Sequence, residues 1–204
     1  MSDLSSAYFI RRLRQVQSEL RRAAIYEFLT APGWETGWKS RSKTDGLTFL
    51  HKHFAGRRVG SDEPQPCEDE LREYPLIHDM WMSLKQHAFF KDRTLVRCYA
   101  NGMSYGMDGT VHTDATRPGS FTLVYYPHDR WSPNWGGETM FYTADETGLV
   151  AVLYPEPNSA VLFDGRIPHR ANGVTRSYSG VRITLMFKIE VIKNDASEPP
   201  AIPA

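Results

Sequence analysis

Thr94-Leu95-Val96-Arg97-Cys98-Tyr99-Ala100 is where this 204-residue chain changes character. From here onward short β-branched and aromatic runs recur, at 94–100, 120–127, 137–143, 149–154, 159–163 and 181–192. Gly, Pro, Asn and Asp separate them, which is the signature of short strands joined by turns. Six to eight such strands at this spacing predict a sandwich or a barrel. The chain is thus expected to be mainly β with flanking helices, an α+β arrangement.

Working back from Thr94, the pattern is helical. Ser5 and Ser6 can cap a first helix whose apolar stripe is Phe9, Leu13, Val16, Leu20, Ala24 and Phe28, ended by Ala31-Pro32-Gly33. Arg11, Arg12, Arg14, Arg21 and Arg22 fall on its other faces and read as solvated. Residues 34–66 hold Trp34, Trp38, a strand-like Leu47-Thr48-Phe49-Leu50 and a polar loop closing with Pro64 and Pro66. A second helical region is expected over 68–90, broken near Pro75, with Leu76, Met80, Leu84 and Ala88 on one face. These elements predict one domain over 1–193, with a helical part at 1–92 supporting a β core at 93–193. The tail over 194–204, with Pro199, Pro200 and Pro203, is expected to be disordered.

Charge and composition narrow the classes. Lys plus Arg and Asp plus Glu are 24 each, so no net field draws the chain to nucleic acid or to an anionic membrane. No apolar run reaches the ~20 residues of a membrane span. Cys67 and Cys98 read as buried free thiols, which fits a reducing compartment and a cytoplasmic location. The start lacks a secretory apolar region. Its Arg and Ser content raises a transit peptide, which Asp3, Glu19 and the helical stripe oppose.

Between the first two strand-like runs lies His112-Thr113-Asp114, and a second histidine follows at His169. Residues i and i+2 of an extended segment point the same way, so His112 and Asp114 can reach one ion together. Two imidazoles and one carboxylate can hold one face of an octahedral ferrous ion and leave the opposite face open. His169 must then arrive from a distant strand, which a sheet closed on itself allows. Arg182, in the strand Val181–Phe187, points inward if that strand lines the barrel, and an inward guanidinium needs an anion. Its planar fork suits a carboxylate held by two parallel hydrogen bonds. Thr184 on the same face, and Tyr99 from the strand before His112, could add hydroxyls. Arg176 is a rival that no strand pattern holds inward. Two further pairs, His51-Lys52-His53 and His78-Asp79, have no third ligand at a recognisable distance and read as structural.

Arranged in this order, the landmarks resemble the iron(II)- and 2-oxoglutarate-dependent dioxygenases, particularly their prolyl 4-hydroxylase-like branch. They are Tyr99-Ala100-Asn101-Gly102, His112-Thr113-Asp114, Trp135-Gly136-Gly137-Glu138-Thr139-Met140-Phe141, Pro157–Phe163, Pro168-His169 and Gly180–Thr184. The resemblance covers about Arg97 to Phe187. It implies a double-stranded β-helix, or jelly roll, with N-terminal supporting helices. It also implies Fe(II) on His112, Asp114 and His169, with O2 and 2-oxoglutarate as co-substrates, the latter on Arg182, Tyr99 and Thr184. One departure stands out: the prolyl hydroxylases usually place lysine where this chain has Arg182. Related halogenases have a small residue at the carboxylate position, so Asp114 favours hydroxylation.

The expected activity is hydroxylation of an unactivated C–H bond with release of succinate and CO2. A small metabolite or amino-acid-like molecule is the leading substrate class, with a prolyl or other protein side chain as the alternative. Competing readings on a jelly roll are a non-redox cupin-like metal- or sugar-binding module and a metal-dependent isomerase. Arg182 discriminates against the binding module, which has no use for an inward arginine. Tyr125, Tyr126, Trp131 and Trp135 could line a substrate mouth or pack a core. Asn101, Tyr105 and Asp108 lie beside the metal motif and could face substrate.

Overall fold

The computed structural model describes residues 8–40, 46–56 and 65–191. In chain order its elements are β1 (Ile10–Leu13), α1 (Glu19–Thr30), β2 (Glu35–Trp38), β3 (Phe49–Gly56), a 3-10 turn (Glu68–Glu73), α2 (Pro75–Leu84), α3 (Ala88–Lys91) and β4 (Arg93–Met103). Then come β5 (Ser120–Tyr126), β6 (Thr139–Tyr142), β7 (Leu149–Leu153), β8 (Ser159–Asp164), β9 (His169–Ala171) and β10 (Arg182–Val191). The strands form a seven-stranded sheet of order β1-β8-β5-β10-β4-β3-β2 and a three-stranded sheet of order β7-β6-β9, and every strand pair is antiparallel. This is the expected jelly roll.

Strand β10 is the centre of the large sheet, and its alternation divides the molecule. Ile183, Leu185, Phe187 and Ile189 turn outward into a core shared with α1 and α2, whose largest member, Trp81, stacks on Phe187 at 5.9 Å. Arg182, Thr184, Met186 and Lys188 turn the other way, between the two sheets. There Tyr99, Val124, Tyr126, Phe141, Val161, Phe163 and Met186 form a second apolar cluster.

The first helix differs from expectation. Phe9, Leu13 and Val16 are not helical: β1 pairs with the edge of β8, Ile10 opposite Phe163, and Arg12 and Arg14 ion-pair with Glu156. The helix starts only at Glu19, where the Ser18 hydroxyl accepts from the Arg21 amide. Leu20, expected on the buried stripe, is 83% exposed, while Arg22, expected in solvent, is buried and donates to the Pro127 carbonyl. A spacing of three to four residues also fits a strand followed by a helix, and edge pairing with β8 decided the outcome. Ser5, Ser6, Pro64 and the tail 194–204 lie outside the described residues.

In α2 the buried face is Ile77, Met80, Trp81 and Leu84, with Leu76 exposed, so the stripe is rotated by one residue from the expected one. The break at Pro75 stands, with proline in the first turn of the helix. Strands β1, β2 and β3 lie within residues 1–92 and extend the large sheet. Cys67 and Cys98 are buried free thiols, and burial pushes the Cys67 thiol up to about 12. No helix among the described residues is long and apolar enough to cross a membrane.

Candidate active site

Backbone pairing brings His112 and His169 together. The two residues exchange amide hydrogen bonds of 3.0 and 2.9 Å, an isolated antiparallel bridge that extends the small sheet beside β9. The amides of Asp114 and Ala115 both donate to the Gly165 carbonyl, at 2.8 and 3.0 Å. A Cβ at residue 165 would lie 3.3 Å from the Ala115 Cβ, so the absence of a side chain there lets the two segments approach.

With the backbones so placed, one ligand atom from each of His112, Asp114 and His169 lies within 4.8 Å of the other two. This is the one such group of His, Cys, Asp and Glu among the described residues. Each imidazole is anchored from behind: His112 Nδ1 donates to the Thr110 carbonyl at 2.9 Å and His169 Nδ1 to the Ile167 carbonyl at 2.8 Å. A carbonyl can only accept, so each Nδ1 carries the proton and each Nε2 keeps a lone pair facing Asp114. The Nε2 to carboxylate distances are 3.5 Å for His112 and 3.3 Å for His169. Burial lowers the pKa of His169, which favours the neutral form a ligand needs. Burial would raise that of Asp114, but the charge of Lys188 outweighs it and holds the carboxyl well below its ordinary range. Two neutral imidazoles and an ionised carboxylate are the donor set that suits a ferrous ion.

Arg182 is 2% exposed and lines the same cavity of about 910 Å3 as the triad. Its Nε donates to the Gly137 carbonyl at 2.7 Å, and its other contacts are Thr139 at 3.5 Å and the face of Tyr126 at 5.6 Å. No carboxylate among the described residues ion-pairs with it. Glu138 instead accepts from Asn172 at 3.0 Å. A buried guanidinium without a counter-ion is costly, and this one has its fork free to take an anion. Thr184 and Tyr99 line the same cavity, as expected, and so does Asn101. Arg176 and Tyr105 are exposed and Asp108 lies away from the cavity wall.

The aromatic residues that could have lined a mouth do not line this cavity. Tyr125 and Tyr126 are fully buried on opposite faces of β5, and Trp131 packs against Trp135, Tyr178 and His128. His51 is buried, stacked on Trp38 at 3.7 Å, and bonds Asn101 at 3.2 Å through Nδ1, so its part is structural. Three residues were not foreseen as site members: Thr139 beside Arg182, and Thr122 and Lys188 beside Asp114. Strand alternation could have found two of them, since Lys188 shares a face with Arg182 and Thr184, and Thr122 is its cross-strand partner.

Against known proteins, the model of the 2OG-Fe(II) oxygenase superfamily matches residues 95–188. Over that stretch the chain is similar to the 2OG-Fe(II) oxygenase superfamily, whose members use Fe(II), 2-oxoglutarate and O2. No curated protein sequence matches it. Among solved structures it is similar to an oxidoreductase of the 2OG-Fe(II) oxygenase family from Burkholderia pseudomallei (16% identity, TM-score 0.65, 93% of this chain and 89% of that one). It is also similar to a prolyl-4-hydroxylase from Pseudomonas putida (14%, 0.61, 91% and 94%). A third is HygX from Streptomyces hygroscopicus with nickel and 2-oxoglutarate bound (10%, 0.63, 93% and 85%). At these identities the likeness is one of fold.

Proposed function

We propose that this chain is a 2OG-Fe(II) oxygenase that hydroxylates an unactivated C–H bond of a small metabolite or amino-acid-like substrate, with His112, Asp114 and His169 holding the iron and Arg182 holding 2-oxoglutarate. The observation that carries this reading is Arg182, a buried guanidinium with no carboxylate partner among the described residues, in the cavity that the triad also lines. A non-redox binding module has no need of that charge. Ferrous iron, when bound, supplies the oxygen chemistry, coupled to conversion of 2-oxoglutarate to succinate and CO2.

The chain's own residues do the rest. Arg182 takes the remote carboxylate of 2-oxoglutarate through its fork, and the Thr184 and Tyr99 hydroxyls supply further contacts along it. The carbonyl bonds to both Nδ1 atoms hold the imidazole planes before any ligand arrives, which keeps the reorganisation on binding small. A cavity of about 910 Å3 has room for 2-oxoglutarate and for a substrate of small-molecule size beside it.

Succinate release measured across amino acids, peptides and metabolites tests the proposal. One substrate class should stimulate release in a manner that needs Fe(II), O2 and 2-oxoglutarate. Stimulation by peptides alone would move the substrate to a protein side chain. Ligand binding without any succinate would reject hydroxylation.

A further inference from the structure

Asp114 has two carboxylate oxygens, and the fold treats them differently. Lys188 Nζ ion-pairs with Oδ2, the Thr122 hydroxyl donates to the same oxygen at 2.6 Å, and Lys188 donates in turn to Thr122 Oγ1 at 3.0 Å. Thr122 thus gives its single proton to Asp114 and receives one from Lys188. Oδ1 carries neither contact and faces His112 Nε2 at 3.5 Å, while His169 Nε2 lies 3.3 Å from Oδ2, the oxygen that Lys188 and Thr122 occupy. Lys188 and Thr122 are direct partners in the β10–β5 register, so this clamp belongs to the centre of the large sheet and not to a loop. The Lys188 side chain is 14% exposed and reaches past the Tyr99 ring, whose centroid is 5.9 Å from Nζ.

We propose that Lys188, acting with Thr122, is a positioning residue that holds Asp114 by Oδ2 so that a metal ion is offered Oδ1 alone. The proposal rests on reading His112, Asp114 and His169 as the ligand set. A carboxylate fastened at one oxygen cannot swing to chelate through both. The ion therefore keeps the open positions that a facial triad must leave for its co-substrates. An ammonium beside a dication is repelled by it, so the charge of Lys188 by itself works against metal binding. Its placement is explained by what it does to the orientation of Asp114, in the way that partners of ligating carboxylates generally fix them.

The two effects predict opposite results, which makes the proposal testable without turnover. Mn(II) affinity of the metal-free full chain is measured by calorimetry, and the Co(II)-loaded protein by its visible spectrum, for wild type, Lys188→Met, Lys188→Arg and Thr122→Val. Lys188→Met should weaken Mn(II) binding about 10–100-fold and alter the Co(II) spectrum. Lys188→Arg should restore most of both, and Thr122→Val should fall between. Unchanged or tighter Mn(II) binding in Lys188→Met, or an unaltered Co(II) spectrum, overturns the proposal: repulsion alone predicts tightening, and a merely structural lysine predicts no change. Should Lys188→Met fail to fold, Thr122→Val decides by the same two readouts. Failure of the underlying ligand reading looks different, because Mn(II) would then bind equally well to His112→Ala and His169→Ala.

Discussion

Gly137 lies against Arg182 so closely that a Cβ at 137 would stand 2.7 Å from Arg182 Cδ and 3.0 Å from its Nε. The same glycine accepts the Arg182 Nε hydrogen bond through its carbonyl and has a φ of +79°. Replacement by alanine therefore meets two obstacles, the clash and the left-handed backbone. Gly137→Ala should destabilise the fold by about 1–3 kcal/mol in urea unfolding. It should also weaken 2-oxoglutarate binding measured in the metal-loaded protein. Wild-type values for both would mean that the loop relaxes freely and that the glycine does not seat Arg182.

The three proposed metal ligands are expected to be indispensable but not equivalent. His112→Ala, Asp114→Ala and His169→Ala should each abolish iron-dependent turnover while far-ultraviolet dichroism stays native. Asp114→Ala should also be the least stable of the three, by about 3 kcal/mol or more, because it leaves the Lys188 ammonium without its partner. Retained turnover in any two of these variants rejects the ligand assignment.

Arg182→Ala should raise the 2-oxoglutarate requirement by the equivalent of about 2–5 kcal/mol, the usual cost of truncating one partner of a buried charge pair. Binding constants from titration of the metal-loaded protein give the answer directly. An unchanged affinity would transfer the role to another cation.

His128 makes stability depend on pH. Its Nε2 accepts the Ile183 amide at 2.9 Å, one residue from Arg182, and burial together with the Arg182 charge lowers its pKa from 6.5 to about 3. A depressed histidine contributes its full stability above about 6.5, its value in the unfolded chain. That contribution drains away as the pH falls toward 3, because the unfolded state takes up a proton that the native state refuses. The thermal midpoint should therefore decline between pH 6.5 and 4, and His128→Gln should flatten the decline whatever it does to the midpoint at pH 7. Parallel curves for the two proteins would count against it.

The sequence made the β core and the triad legible for a physical reason. In 120–126, 159–164 and 182–191 the apolar and β-branched character is continuous or alternating, and turn residues bound each run. Arg182 was legible because a cation is rare on the inward face of such a strand. Lys188 was not, because a lysine near a strand end reads as solvated until the carboxylate it meets, 74 positions earlier in the chain, is placed beside it. The start of the chain was misread for the opposite reason. Phe9, Leu13 and Val16 matched a helical period, and only the free edge of β8, remote in sequence, showed that residues 10–13 pair as a strand.

Strand β10 carries core contacts on one side and the polar residues of the cavity on the other. A shift of one position would put Ile183 where the guanidinium belongs and drive Arg182 into the packing around Trp81. The length of the preceding 172–181 segment can vary only if the strand's register is kept. Chain insertions will be tolerated in that loop and rejected inside the strand, so stability and chemistry cannot be altered independently there. A library of single-residue insertions scanned through 172–191 would display that boundary as an abrupt edge at Arg182.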